Sequence, residues 1–160
     1  MRKIIPILLL TILTMVGCST LDCPLNNTVY TKYKLDGTVT ELTGCTMTVS
    51  TTKRDGKDSI LINKDENVDS FILPMSYANS ADTLYFEVQD RLERVFKDTV
   101  IVAKDNQPHF ESIDCSPSYF HTITGVKTTQ HLIDSIVINH KDVNFDATKT
   151  HFLIYFGTRD

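Results

Sequence analysis

Tryptophan is absent from this chain, and so is every compact catalytic signature. There is no Gly-x-Ser-x-Gly, no His-Glu-x-x-His, no phosphate loop and no cysteine–histidine metal spacing. The five histidines, His109, His121, His131, His140 and His151, stand singly, as strand-edge or loop residues do. No acid, base and nucleophile converge by spacing, so the expectation is a non-enzyme with no cofactor, no metal and no catalytic residue. Without tryptophan, any sugar-stacking surface falls to tyrosines such as Tyr77 and Tyr85. An excess of positive charge is also missing. Two of the 16 basic residues, Arg2 and Lys3, lie in the leader described below, so the rest carries 14 against 20 acidic residues, net −6. That excludes nucleic acid, which takes a basic patch. Repeats and low-complexity segments are absent as well.

What is present begins at the N-terminus. Arg2 and Lys3 precede Ile4 to Val16, an apolar run broken by Pro6, Thr11 and Thr14. It is shorter than the roughly 20 residues of a membrane-spanning helix and has the shape of a secretory leader. Its end, Met15-Val16-Gly17-Cys18, resembles a bacterial lipobox, with Met15 where leucine is usual. The resemblance implies a signal peptide over residues 1–17, cleavage before Cys18, lipid (palmitate-type acyl chains) on that cysteine and a tether over residues 18–27. With more than one acyl chain, attachment to the membrane is effectively permanent. Ser19 lacks the acidic character that retains some lipoproteins at the inner membrane. The expected place is therefore the cell envelope at the outer membrane, with the periplasmic face and the cell surface both open.

Cys18 leaves Cys23, Cys45 and Cys115 in an oxidising compartment. One disulfide and one free thiol is the simplest arrangement. Cys45 shares an alternating face with Met47 and Val49, whereas Cys23 and Cys115 sit in turn-like settings, Asp22-Cys23-Pro24 and Asp114-Cys115-Ser116-Pro117. Cys23–Cys115 is the expected bridge; unpaired thiols are the alternative.

Residues 28–160 read as a single β domain, rich in threonine, valine and isoleucine. Alternation marks strands over Thr28 to Leu35, Cys45 to Thr52, Asp58 to Asn63, Val68 to Met75, Asp82 to Asp90, and a long or bent strand ending at Ala103. Further strands follow over His109 to Ile113, Tyr119 to Val126, His131 to His140 and Thr150 to Phe156. A short strand over Thr38 to Leu42 is expected to return from the Asp36-Gly37 turn. Lys64 to Asn67, Lys104 to Pro108 and Lys141 to Lys149 read as polar links. The last two strands are apolar on both faces, which marks them as central. Nine or ten short strands without a helix predict an antiparallel two-sheet sandwich, with a closed barrel as the alternative.

The Cys18…Asp22-Cys23-Pro24 start, Asp82-Thr83-Leu84-Tyr85-Phe86, Cys115-Ser116-Pro117, Ile133 to Ile138 and His151 to Phe156 together resemble a family of small Bacteroidota-type lipoproteins of unknown function. The resemblance implies an all-β, membrane-anchored envelope protein and supports the roles of Cys23 and Cys115. It also implies candidate O-glycosylation at Asp-Ser/Thr-aliphatic triplets, here at Ser59, Thr83, Thr99 and Ser135. The expected function is a non-catalytic binding or assembly module that meets an envelope protein or a glycan. The alternative is a structural lipoprotein working only as a subunit of a membrane complex.

Overall fold

The computed structural model describes Cys23 and residues 27–53, 56–77 and 79–157. Cys18 and the leader lie outside the described residues. Ten strands and no helix are found among those described: β1 Tyr30–Asp36, β2 Thr46–Thr52, β3 Asp58–Glu66, β4 Ser70–Pro74, β5 Ala81–Gln89, β6 Val95–His109, β7 Ser118–Thr128, β8 Ile133–Ile138, β9 Asp142–Val143 and β10 Phe152–Phe156.

They form two sheets, a four-stranded one in the order β4-β1-β10-β8 and a six-stranded one in the order β3-β2-β5-β6-β7-β9. The smaller sheet faces the larger, which curls as a half-barrel. Period-2 alternation explains why. Val29, Thr31, Tyr33 and Leu35 all point inward from the first strand region, and Leu84, Phe86 and Val88 do so from β5. Across β4, β1 and β10 the register places Phe71 and Phe152 beside Tyr33. The Tyr33 ring stacks on both, at 5.0 and 4.7 Å between centroids. Phe71 then meets Phe86 of the opposite sheet at 6.0 Å, so one aromatic column crosses the core.

Several expectations are corrected. Thr38 to Leu42 is not a strand: Gly37 turns the chain at φ +84°, but the following segment crosses to the other sheet and buries Leu42, whose amide bonds to the Val68 carbonyl at 2.9 Å. Lys64 to Glu66 belongs to β3, where a register shift near Val49 absorbs the left-handed Lys64 (φ 49°). Lys104 to Pro108 is no loop. It continues β6 as far as His109, and the expected strand at His109 to Ile113 is mostly the connection that follows. The polar link after His140 contains β9, a two-residue strand against β7. β10 is central but β8 is an edge strand, with Val137 exposed. The pairing is antiparallel except between β1 and β10, which run parallel. Both sheets have open edges, so the closed barrel is excluded. A bulge interrupts β7 near Gly125: Ala103 and Lys104 face Gly125 and Ile123, leaving Thr124 as the extra residue.

Candidate functional site

The outward face of the six-stranded sheet carries what the core rejects. Alternation turns Thr48, Ser50 and Thr52 of β2, Tyr85 and Glu87 of β5, and Lys97 and Thr99 of β6 away from the interior. Register sets Ser50, Tyr85 and Thr99 in one row and Thr48, Glu87 and Lys97 in the next. The connection between β7 and β8 adds Thr129 and His131 along one side. The result is a groove of about 650 Å³. Hydroxyl-bearing Thr48, Ser50, Thr52 and Thr99 line it around Tyr85, which is 40% exposed. Lys97 Nζ meets Glu87 Oε2 at 2.9 Å, an exposed pair worth at most about 1 kcal/mol, so it remains free to exchange partners with a ligand.

The wall of this groove is held from beneath by Asp98. Its buried carboxylate accepts hydrogen bonds from Thr129 Oγ1 (2.5 Å) and from the amides of His131 (2.9 Å), Leu132 (2.6 Å) and Ile133 (2.6 Å). Burial alone raises its pKa, but the Thr129 hydroxyl and the three amides outweigh that and hold it below the ordinary carboxylate value. Asp98 therefore fixes how β8 leaves β7.

A second polar cluster lies further along β6. Lys104 is buried, and its ammonium donates to the carbonyls of Ser76 and Asn79 (2.9 Å to the latter) and to Asn106 Oδ1 at 2.9 Å. Asp82 stands 3.9 Å away and itself accepts from the Ser76 amide and hydroxyl. Three donors meet three acceptors, so the amine is fully engaged and holds Ser76 and Asn79 against β6. His121 Nδ1 donates to the same Asn106 oxygen at 2.8 Å. Burial, and then the Lys104 ammonium, push the His121 pKa down to about 4.

The depressed His121 value has a stability consequence. The unfolded state takes up a proton near pH 6.5 that the folded state refuses until about pH 4. Stability is therefore expected to fall as pH drops from 7 to 5, with His151, also lowered by burial, acting in the same direction. Urea unfolding at the two pH values checks this. The pH difference should shrink in His121→Gln; an unchanged difference would exclude His121 as a source.

The residues singled out from sequence are not brought together. Cys23 and Cys115 are bonded, with sulfurs 2.07 Å apart and Cα atoms 5.5 Å apart, as expected. Cys45 is a free, half-buried thiol packed against the core. Ser59, Thr83, Thr99 and Ser135 lie half-buried on four different strands. Asp58 and Asp134, which precede Ser59 and Ser135, are exposed on edge strands, whereas Asp82 and Asp98 are committed to the bonds above. Among the described residues no cluster of three or more histidines, cysteines or carboxylates could hold a metal. Asp146 instead closes its own turn on Thr148 (3.1 Å to the amide). His151 Nδ1 accepts the Lys32 amide at 3.0 Å and so helps seat β10 beside β1. Sequence reasoning missed the Lys104 cluster. The signal was the alternation itself, since Asp98, Val100, Val102 and Lys104 share one inward face.

Comparison with known families decides the affiliation. A family of unknown function, DUF6452, matches residues 46–156. The chain belongs to that family. The match runs from β2 to the end of β10 and so takes in both the groove and the Lys104 cluster. Neither a curated protein nor a solved structure matches the chain.

Proposed function

We propose that this DUF6452 member is an envelope module tethered through Cys18 that binds without catalysis, and that its groove takes a glycan segment. The observation that carries this reading is the groove: a row of hydroxyls around a half-exposed tyrosine face, with an exchangeable Lys97–Glu87 pair beside it. Sugars offer what such a surface complements, namely C–H faces for an aromatic ring and hydroxyls for polar partners. Loops and open faces on a rigid sandwich are where recognition usually resides.

The test is a glycan array probed with the protein, followed by calorimetry on any hit. Tyr85→Ala is expected to weaken binding at least tenfold while leaving the unfolding midpoint within about 2 °C, because Tyr85 faces outward. An empty array, together with a stoichiometric protein partner recovered from solubilised membranes, would overturn the glycan reading in favour of a structural subunit of a membrane complex.

A further inference from the structure

Large apolar side chains are left in water at one end of the sandwich, where β6 turns into β7. In the 110–117 connection Phe110 is 61% and Ile113 96% exposed. Phe110 follows His109, whose ring stacks on Phe120 at 4.2 Å. Phe145, itself exposed, meets Phe120 edge-on at 5.1 Å. Single exposed apolar residues are ordinary, but a gathering of them on one end is not.

The same connection is where the N-terminal segment is fastened. Cys115 is bonded to Cys23, and Asn27 Nδ2 donates to the Ser116 carbonyl at 3.4 Å. Cys23 is five residues after Cys18. Five extended residues reach at most about 18 Å. A lipid on Cys18 therefore keeps Cys23 within about 18 Å of the bilayer surface, and Cys115 of this connection lies 5.5 Å from Cys23 between Cα atoms. The opposite end of β6, 14 residues back at about 3.3 Å each, lies up to about 46 Å away.

We propose that the 110–117 connection is a membrane-docking loop, with Phe110 and Ile113 entering the headgroup–acyl boundary beside the lipid anchor. The inference rests on the anchoring of Cys18. The occupant is a lipid surface rather than a protein because the short tether keeps this end close to the bilayer. The insertion is apolar and not electrostatic: the residues from Cys18 onward carry net −6, and the loop's charged side chains are the carboxylates Glu111, 3.0 Å from His109 Nε2, and exposed Asp114. Docking at two points, the acyl chains and the loop, holds the sandwich upright. Thr99 in the groove then stands ten residues along β6 from His109, up to about 33 Å from the membrane end.

The absence of tryptophan supplies the test, because Ile113→Trp creates a single tryptophan that can be excited selectively over the six tyrosines. The mature lipidated protein, from Cys18 onward, is reconstituted into phosphatidylcholine vesicles, floated on a density gradient, and compared in vesicles with and without brominated acyl chains. Ile113→Trp and Phe110→Trp are expected to float, to emit at shorter wavelength than in detergent-free solution, and to lose about half or more of their intensity to bromine. Ile60→Trp, on exposed β3, should float and remain unquenched. If Ile113→Trp and Phe110→Trp float but bromine leaves their emission unquenched, the loop's insertion is overturned and the anchor stands. Protein that does not float would overturn the anchor, and the insertion with it.

Discussion

Asp98→Ala is expected to lower stability by about 3–5 kcal/mol. The carboxylate has no exposed surface and accepts one hydroxyl and three amide hydrogen bonds. Removing it leaves four donors without their acceptor, the Ile133 amide among them fully buried, and charge-assisted bonds of this kind are individually worth about 1.5–3 kcal/mol. For a domain of this size the unfolding midpoint should fall by roughly 10 °C or more. Asp98→Asn keeps the volume but offers an amide donor where donors already converge, so it should lose about half as much. Because the folded pKa is depressed, the contribution is fully present above the unfolded carboxylate value and is lost as pH falls through the folded one. The acid limb of the stability curve should therefore flatten in Asp98→Asn. Circular dichroism melts between pH 3 and 7 measure both effects. A midpoint within 2 °C of the wild type would refute the clamp.

Loss of the Cys23–Cys115 bond should cost a similar amount by a different route. The bond spans 92 residues, and closing so long a loop in the unfolded chain is worth about 4–5 kcal/mol by chain entropy. Against a typical total of about 5–15 kcal/mol, either loss is a large fraction. Cys23→Ser and Cys115→Ser should be destabilised alike, since the bond is absent in both. Any further loss in Cys115→Ser reports its packing, because Cys115 is buried and Cys23 exposed. Each variant needs Cys45→Ser beside it to prevent exchange with the free thiol. Identical melts with and without reductant would show that the bond contributes nothing, and an unreduced peptide map without the linked pair would show that it does not form.

The expectations that held were those in which one face is buried. Met47 and Val49, Phe71 and Leu73, or Leu84, Phe86 and Val88 can be read from alternation because burial punishes any slip of register. The misreadings share a cause. Lys104 and Asn106 look like loop residues, yet Lys104 lies inside because the 76–80 connection supplies carbonyls from far away in sequence. Thr38 to Leu42 lies beyond a proper turn, but the partner of β1 is β4, and no local pattern names a partner 40 residues on. β8 is apolar on both faces and still lies at an edge, since strand order is a property of the whole sheet. The groove was legible only in fragments: Tyr85 was picked out, while its neighbours Ser50 and Thr99 became neighbours through pairing.

The parallel pair of β1 and β10 bears on how the chain is made. β10 holds the centre of the smaller sheet, between β1, which begins near residue 30, and β8. No ribosome-bound or half-translocated chain can close that sheet until residue 156 is free, and such long-range pairing is slow to form. A polypeptide wired in this way keeps its smaller sheet, and so one face of its core, open until the last strand is free. Late closure of this kind suits the export proposed for this chain, and it arises from which strand comes last.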